Sequence, residues 1–405
     1  MDWQDTADEA AFRAQVATFV RERFPRDYRP DPLAEHSVEP EDVWGYNWPV
    51  DRVSEDPQRR DGARQWASAL AEKGWIAPGW PVEFGGAGLS ATHEAILQEE
   101  FMRAGVPTVN GNGALLLGPT LLRHGNRAQW EAHLPGIASG EVVWAQGFSE
   151  PEAGSDLAGV RTTAVRDGDH YIVNGQKIWT SLGQYADWLF LLVRTDPAAP
   201  KHKGLSFLLV DATTPGITIR PITDIRGAAP FAEIFFDDVR VPAGNLVGDE
   251  NGGWAVAMTA LNLERAGIGA VVKFDRAVHS LIAHVRDGAG TGYLRADQTR
   301  LRQEITRRHV EVRVLHNLAR LTISTGGSGY EASVNQLFSA ELHQRLARTG
   351  HDALGSAGQI WRSPTAPDAS RFTHMRFDAV AATFLGGSTE IQRTIIATRG
   401  LGLTR

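Results

Sequence analysis

The sequence predicts an α+β protein built as three consecutive parts: helical, then β, then helical again. Apolar residues recur at helical spacing through the first third and again from Gly252 onward. Between Val142 and Pro242 the pattern is different, with short β-branched or aromatic segments separated by turn residues. No helix-length segment interrupts those strands, which argues against a parallel βαβ sheet and for an antiparallel sheet or barrel. The expected parts are an N-terminal α-helical domain over 1–141, a middle antiparallel β-barrel or sandwich over 142–249, and a C-terminal helical bundle over 250–405.

Residues 7–24 carry Ala11, Phe12, Val16, Phe19 and Val20 at helical spacing. Residues 25–60, rich in Pro and charge, read as a long surface excursion. A helix over 62–73 is ended by Gly74 as a C-terminal cap would be. Pro78, Gly79, Pro81, Gly85 and Gly86 make the next stretch a loop, and helices follow over 90–105, 113–124 and 127–138. Strands are expected at 142–148, 160–166, 170–175, 187–194, 205–211, 216–221 and 231–237. The last third predicts helices over 252–285, 296–325, 330–349 and 389–400.

A chain of 405 residues has room for two or three subdomains, and 42% hydrophobic with 22% charged residues is the composition of a globular protein. A net charge of −7 gives no reason to expect nucleic acid or an anionic membrane as a partner. No Cys is present, which removes disulfides, thiol catalysis and thiolate metal sites. No apolar run approaches the roughly 20 residues of a membrane span. Met1 to Asp5 lacks the basic and apolar regions of a signal peptide, so a cytoplasmic protein is expected.

Chemistry concentrates between Trp144 and Gly183. One loop runs from Gln146 through Ser149, Gly154 and Ser155 to Asp156; a second runs from Gly175 through Lys177 and Trp179 to Ser181. They flank a hairpin that turns at Asp167-Gly168-Asp169. Loops of this composition bring hydroxyls and bare N–H groups to a ligand, because Gly lets the backbone approach closely. Trp179 beside Thr180 and Ser181 suits a flat, polar ring system better than a lone phosphate. Either loop alone is as readily a Gly-rich turn; the pair at this spacing is more specific. Competing chemistries find little support. The hydrolase pattern G-x-S-x-G fails at Pro151, and the 13 His include no H-E-x-x-H, so no metal is expected. Gly267-Ile268-Gly269-Ala270 sits in a helical pattern rather than after a strand, so it is no dinucleotide fingerprint.

The two loops resemble the flavin-binding middle domain of the acyl-CoA dehydrogenases. Ser149-Glu150-Pro151-Glu152-Ala153-Gly154-Ser155-Asp156 reads as one family motif and Lys177-Ile178-Trp179-Thr180-Ser181 as another. The Gly74–Gly86 loop, Phe235–Pro242 and Gly387-Ser388-Thr389-Glu390-Ile391-Gln392-Arg393 are also similar, so the resemblance, of actinobacterial type, covers most of the chain. It implies a C-terminal four-helix bundle, bound FAD and an acyl-CoA substrate. It also implies α,β-dehydrogenation, in which a Glu takes the α proton and hydride passes to flavin N5. The flavin contacts it implies are Gln146, Phe148, Ser149, Gly154, Ser155, Trp179, Thr180, Ser181, Ser388 and Glu390. Those to substrate are Ser155, Asn262, Arg265 and Gly387.

Family members place the catalytic Glu at one of two positions. The first precedes the C-terminal Gly-Ser motif, and here it is Gly386, which cannot take a proton. The second, the isovaleryl-CoA-dehydrogenase-like position, is a Glu-Arg pair on the helix after the β domain, and Leu261-Asn262-Leu263-Glu264-Arg265 matches it. Glu264 is therefore the candidate base, although a Glu-Arg pair is more commonly a solvated helix face. The missing side chain at Gly386 predicts room for a branched or bulky acyl group. Two segments depart from the family. Its Arg-x-x-Phe-Gly run, which reaches a neighbour's flavin, meets Arg286-Asp287-Gly288-Ala289-Gly290 here, and its later Gly-rich loop meets Gly355-Ser356-Ala357-Gly358. The segment 359–383 is long and carries Pro364 and Pro367. The implied partners are electron-transfer flavoprotein or a similar acceptor, and either copies of this chain in a dimer or tetramer or a related subunit in a heterotetramer. A flavin oxidase or monooxygenase on the same fold, or a non-catalytic partner subunit, are the alternatives.

Overall fold

A computed structural model of the chain describes residues 5–28, 46–264, 269–286, 295–324, 329–361, 363, 366 and 370–404. The first part is helical: α1 (Ala7–Arg23), α2 (Trp48–Asp51), α3 (Pro57–Ala71), α4 (Ala91–Ala104), α5 (Gly118–His124) and α6 (Arg127–Ala138). Local chemistry sets the ends. Thr6 and Glu9 form a capping box on α1, and Asn126 with Gln129 forms another on α6. Gly105 ends α4 in the left-handed region. A π-helical segment, Asn112–Leu117, leads into α5. Of the expected surface excursion, residues 29–45 lie outside the described residues; α2 and the start of α3 occupy its end.

The β part holds eight strands: β1 (Trp144–Gly147), β2 (Thr163–Asp167), β3 (His170–Ser181), β4 (Trp188–Arg194), β5 (Leu205–Asp211), β6 (Ile217–Ile222), β7 (Phe231–Pro242) and β8 (Leu246–Val247). They form one sheet ordered β6-β7-β3-β2-β4-β5-β8, with β1 beside β4. Most pairs are antiparallel as expected, but β1 and β2 both run parallel to β4, with no helix crossing between. β1 pairs with the first half of β4, whose last residue, Arg194, pairs with Thr163 of β2. β4 explains how the sheet is seated. Its residues Leu189, Leu191 and Val193 face the β core, while Phe190 and Leu192 join the core of the N-terminal helices. A strand covered on both faces reads as the continuous apolar run found here.

The C-terminal part comprises α7 (Gly253–Glu264), α8 (Gly269–Arg286), α9 (Arg295–Ser324), α10 (Glu331–Leu354), α11 (Arg371–Ala381) and α12 (Thr389–Ile395). The single helix expected over 252–285 is thus two helices, on either side of residues 265–268, which lie outside the described residues. α7 belongs with the sheet, packing on β4 and β5, while α8, α9 and α10 pack on one another and α11 and α12 both pack on α10. α11 falls within 359–383, where no helix was expected; Phe372, Met375 and Ala379 bury its inner face. Pro364 and Pro367 lie outside the described residues. Arg226, in the β6–β7 loop and held there by Asp224 at 2.5 Å, ties the sheet to this part through Asp378 on α11. No described helix is long and apolar enough to cross a membrane.

One half-buried carboxyl stands apart. Glu94 on α4 has no ionic or hydrogen-bonding partner among the described residues and rests against Gly79, where any side chain would collide with it. Burial pushes its carboxyl up to about 7 from an ordinary 4.5. Between those values the folded chain holds a proton that the unfolded chain has released, so stability falls as pH rises through that window. Glu94→Gln should therefore raise the thermal midpoint at about pH 8, by the equivalent of at most about 3 kcal/mol, and hardly at all at about pH 4. Equal midpoint shifts at both pH values would contradict this.

Candidate active site

The two loops singled out in the sequence come together at the ends of β1 and β3. The N–H of Ile178 donates to the carbonyl of Ser149 at 3.0 Å, so the strands are stitched beside each other. At the centre lies Lys177, fully buried, whose Nζ donates to Glu150 Oε1 at 2.8 Å, the Phe148 carbonyl at 3.0 Å and the Leu192 carbonyl at 2.6 Å. Burial pushes the Lys177 ammonium down to about 8, partly offset by Glu150, and its three acceptors keep it charged at neutral pH. Burial works to raise the Glu150 carboxyl, but Lys177 and the donors at Thr162 and Arg161 outweigh it and hold it below the usual range. Gly147 leaves space for the Lys177 stem and Leu191, which a side chain there would invade. The sequence reading gave this pair no role. Its signal was present: on β3 Lys177 has the same alternation parity as the buried Tyr171 and Val173.

Above this pair the loops present polar groups outward. Trp179 takes φ 61 at a register shift between Lys177 and Thr180, and 54% of its surface is exposed. A left-handed, non-Gly bulge that holds an aromatic ring in the open costs of order 1–3 kcal/mol, and such strain gathers at ligand sites. The edge of Phe231 supports the indole from 6.0 Å. Among the described residues, the side chains of Gln146, Ser149, Ser155 and Ser181 make no hydrogen bond within the chain, and the space around Gly154 is open. Two expected contacts turn inward instead. The Phe148 ring packs in the core against Phe190 and Phe207, and the Thr180 side chain is fully buried with an unpartnered hydroxyl. Any ligand contact from either residue must come from its main chain.

The C-terminal motif is placed by α12. Ser388 caps it, accepting from the N–H of Ile391 at 3.3 Å, and buried Gln392 donates to the carbonyls of Gly386 and Gly387 at 3.1 and 3.2 Å. Both glycines have positive φ, 64 and 97, so the backbone itself favours Gly at each. Glu390 is exposed, and its carboxyl is held below the usual range by its own backbone N–H and the Thr389 hydroxyl, which makes it a poor proton acceptor. Asn262 is half-buried on α7, and Glu264 is that helix's last residue. The Glu264 side chain and Arg265 lie outside the described residues, as do Asp287 to Gly290. Gly355 to Gly358 form part of a 3-10 turn after α10.

Three family models match this chain in order. They are the acyl-CoA dehydrogenase N-terminal domain over residues 50–141, the middle domain over 145–239 and the C-terminal domain over 251–401. The acyl-CoA dehydrogenase IpdE1 of Mycobacterium tuberculosis is 41% identical over 351 residues, covering 84% of this chain and 88% of that one. The chain belongs to the acyl-CoA dehydrogenase family. Acyl-CoA dehydrogenases are oxidoreductases acting on CH–CH bonds, and flavoproteins as a family. Two solved family structures match its whole length. The Tcur3481-Tcur3483 steroid ACAD superposes with a TM-score of 0.84 at 32% identity, and the ChsE4-ChsE5 complex from M. tuberculosis with 0.79 at 33%, each covering 100% of both chains.

Proposed function

We propose that this protein is an FAD-dependent dehydrogenase that removes two hydrogens across Cα–Cβ of an acyl-CoA thioester with a branched or ring-bearing acyl group. The observation that carries this reading is the paired strand ends: an exposed indole on a left-handed bulge and three unbonded hydroxyls, joined over the buried Lys177–Glu150 pair. A flat isoalloxazine would stack on Trp179, with Ser149 and Ser181 bonding its polar edge and Ser155 at the open Gly154 tip. Bound FAD would supply the electron acceptor that no side chain can provide. The chain's own part is to take the α proton, a task assigned to Glu264 at the end of α7, and to keep water out with the apolar faces of α7 and β4. Gly386 carries no side chain at the position before the C-terminal motif, which would leave room for a substituent, and a relative described as a steroid ACAD supports a ring-bearing substrate. Electrons would leave to electron-transfer flavoprotein or a similar acceptor.

Assembly is expected through the C-terminal helices, where Val380, Phe384 and Leu385 are exposed. The partner is a second copy or a related subunit, as the two-component names of both structural relatives suggest. One preparation tests the reading. The protein, alone or co-expressed with a related subunit, should be yellow, sediment as a dimer or larger, and bleach when mixed with branched or cyclic acyl-CoA. Colourless protein in both preparations would sink the flavin assignment, and butanoyl-CoA as the best substrate would sink the bulky-acyl one. An active monomer would contradict the assembly.

A further inference from the structure

Arg226 sits in the loop between β6 and β7 with only 7% of its surface exposed, and its aim is fixed from within that loop. Asp224 organises the turn: its N–H donates to the Ala228 carbonyl at 2.8 Å, and its own carbonyl accepts from the N–H of Gly227 at 2.9 Å. The Asp224 carboxylate takes the backbone N–H of Arg226 at 2.8 Å and the Arg226 Nε at 2.7 Å. A guanidinium is a planar fork, so holding one edge of it aims the other. The other edge meets Asp378 on α11. Each member of this pair leads to one wall of the proposed site. Downstream of Arg226, the Ala229 carbonyl accepts from Gln184 Nε2 at 2.7 Å and the Pro230 carbonyl from the N–H of Leu182 at 2.8 Å, which pins the turn after Ser181. Phe231 then pairs with Ser181 and props the indole of Trp179. Downstream of Asp378, α11 ends at Ala381, and the Thr383 carbonyl accepts from the N–H of Thr389 at 2.9 Å. That bond, together with the two that Gln392 gives to Gly386 and Gly387, seats Ser388 at the start of α12.

We propose that Arg226 and Asp378 are positioning residues: they set the gap between the Trp179–Ser181 loop of the sheet and the Gly386–Ser388 loop of the helical part, and so the distance at which flavin meets the acyl chain. This inference rests on the acyl-CoA dehydrogenase reading above. Charge compensation alone does not account for the pair. Burial raises the Asp378 carboxyl, and the first cation to oppose that is Lys273 on α8, ahead of Arg226. Arg226 likewise has a carboxylate of its own loop in Asp224 at 2.5 Å. Each member is thus balanced on its own side, and what the contact between them adds is a fixed length between sheet and helices. Small errors in that length are enough to matter, since a misplacement of about 1 Å arising far from the chemistry can cost ~10²-fold in rate.

The test alters the length of each arm and keeps its charge. Arg226→Lys shortens one arm and removes the fork, while Asp378→Glu lengthens the other by one methylene. Each flavin-loaded variant is mixed with saturating branched or cyclic acyl-CoA, and the limiting rate of flavin reduction is read beside the thermal midpoint. Both variants should lower the limiting rate by about tenfold or more, out of proportion to a midpoint that moves by only a few degrees. The Glu variant serves alone if the Lys variant folds poorly. A pair that is merely structural gives the opposite pattern: the midpoint drops, yet the flavin-loaded fraction reduces at the wild-type limiting rate. That pattern overturns the inference, as does a wild-type rate with a wild-type midpoint. If wild type itself binds no flavin, or binds it and bleaches with no thioester, the dehydrogenase reading fails instead, and the positioning role with it.

Discussion

Glu264→Gln should lower turnover by at least ~10²-fold while the flavin stays bound, the scale expected for loss of a general base. The amide is nearly isosteric with the carboxylate and cannot accept the α proton. α7, which ends at Glu264, buries Val256, Ala257 and Ala260 against the sheet and the N-terminal helices. Proton abstraction also needs a carboxylate that is shielded from water and is not weakened as a base by neighbouring donors. Glu390 offers the contrast: its side chain is 77% exposed, and its carboxyl is held low by its own backbone N–H and the Thr389 hydroxyl. Glu390→Gln should therefore change kcat by no more than a few fold. The measurement is single-turnover flavin reduction by the best thioester for both variants. Wild-type reduction in Glu264→Gln together with collapse in Glu390→Gln would reverse the assignment.

Periodicity was enough to read the helix–sheet–helix order, because both helical parts keep apolar stripes and the strands between them are short. It failed where residues that usually end strands sit inside them. The strand expected over 170–175 stops at Gly175, yet β3 continues through it to Ser181, with Gly175 at φ 140. Its neighbour β7 bulges at the same level, at Asp238 with φ 48. The two irregularities answer each other: Asn174 Nδ2 donates to Asp238 Oδ1 and Asp238 N–H to Asn174 Oδ1, both at 2.9 Å. Only the pairing of two distant segments reveals that these polar residues finish a ladder rather than break it. β8 has two residues, too few for any pattern, and the prolines near α11 masked a stripe that Phe372, Met375 and Ala379 do carry. In the site, the resemblance located the loops but could not orient their side chains. Thr180 turns inward beyond the bulge at Trp179, and Phe148 follows β1 into the core that holds Trp144.

The same parity makes Lys177 the residue on which the second large effect depends. Lys177→Met would leave the Glu150 carboxylate buried without its cation and strip the Phe148 and Leu192 carbonyls of a donor. Breaking a buried pair from one side costs about 3–5 kcal/mol. Here the lower end is expected, because the N–H groups of Arg161 and Thr162 still hold Glu150 at 2.6 and 2.9 Å. Removing both charges with Lys177→Met/Glu150→Gln should restore much of that loss, since no unpaired charge then remains inside. Flavin retention should behave differently from stability. Lys177 binds the carbonyl of Phe148 on one loop while standing two residues before Trp179 on the other, so it fixes the spacing between the two surfaces that would grip the ring. The double variant should thus regain its denaturation midpoint yet still lose FAD on gel filtration, read as the absorbance ratio of flavin to protein. If it recovers stability and flavin together, Lys177 only compensates a buried charge and positions nothing. If Lys177→Met alone matches wild type in both, the pair contributes neither.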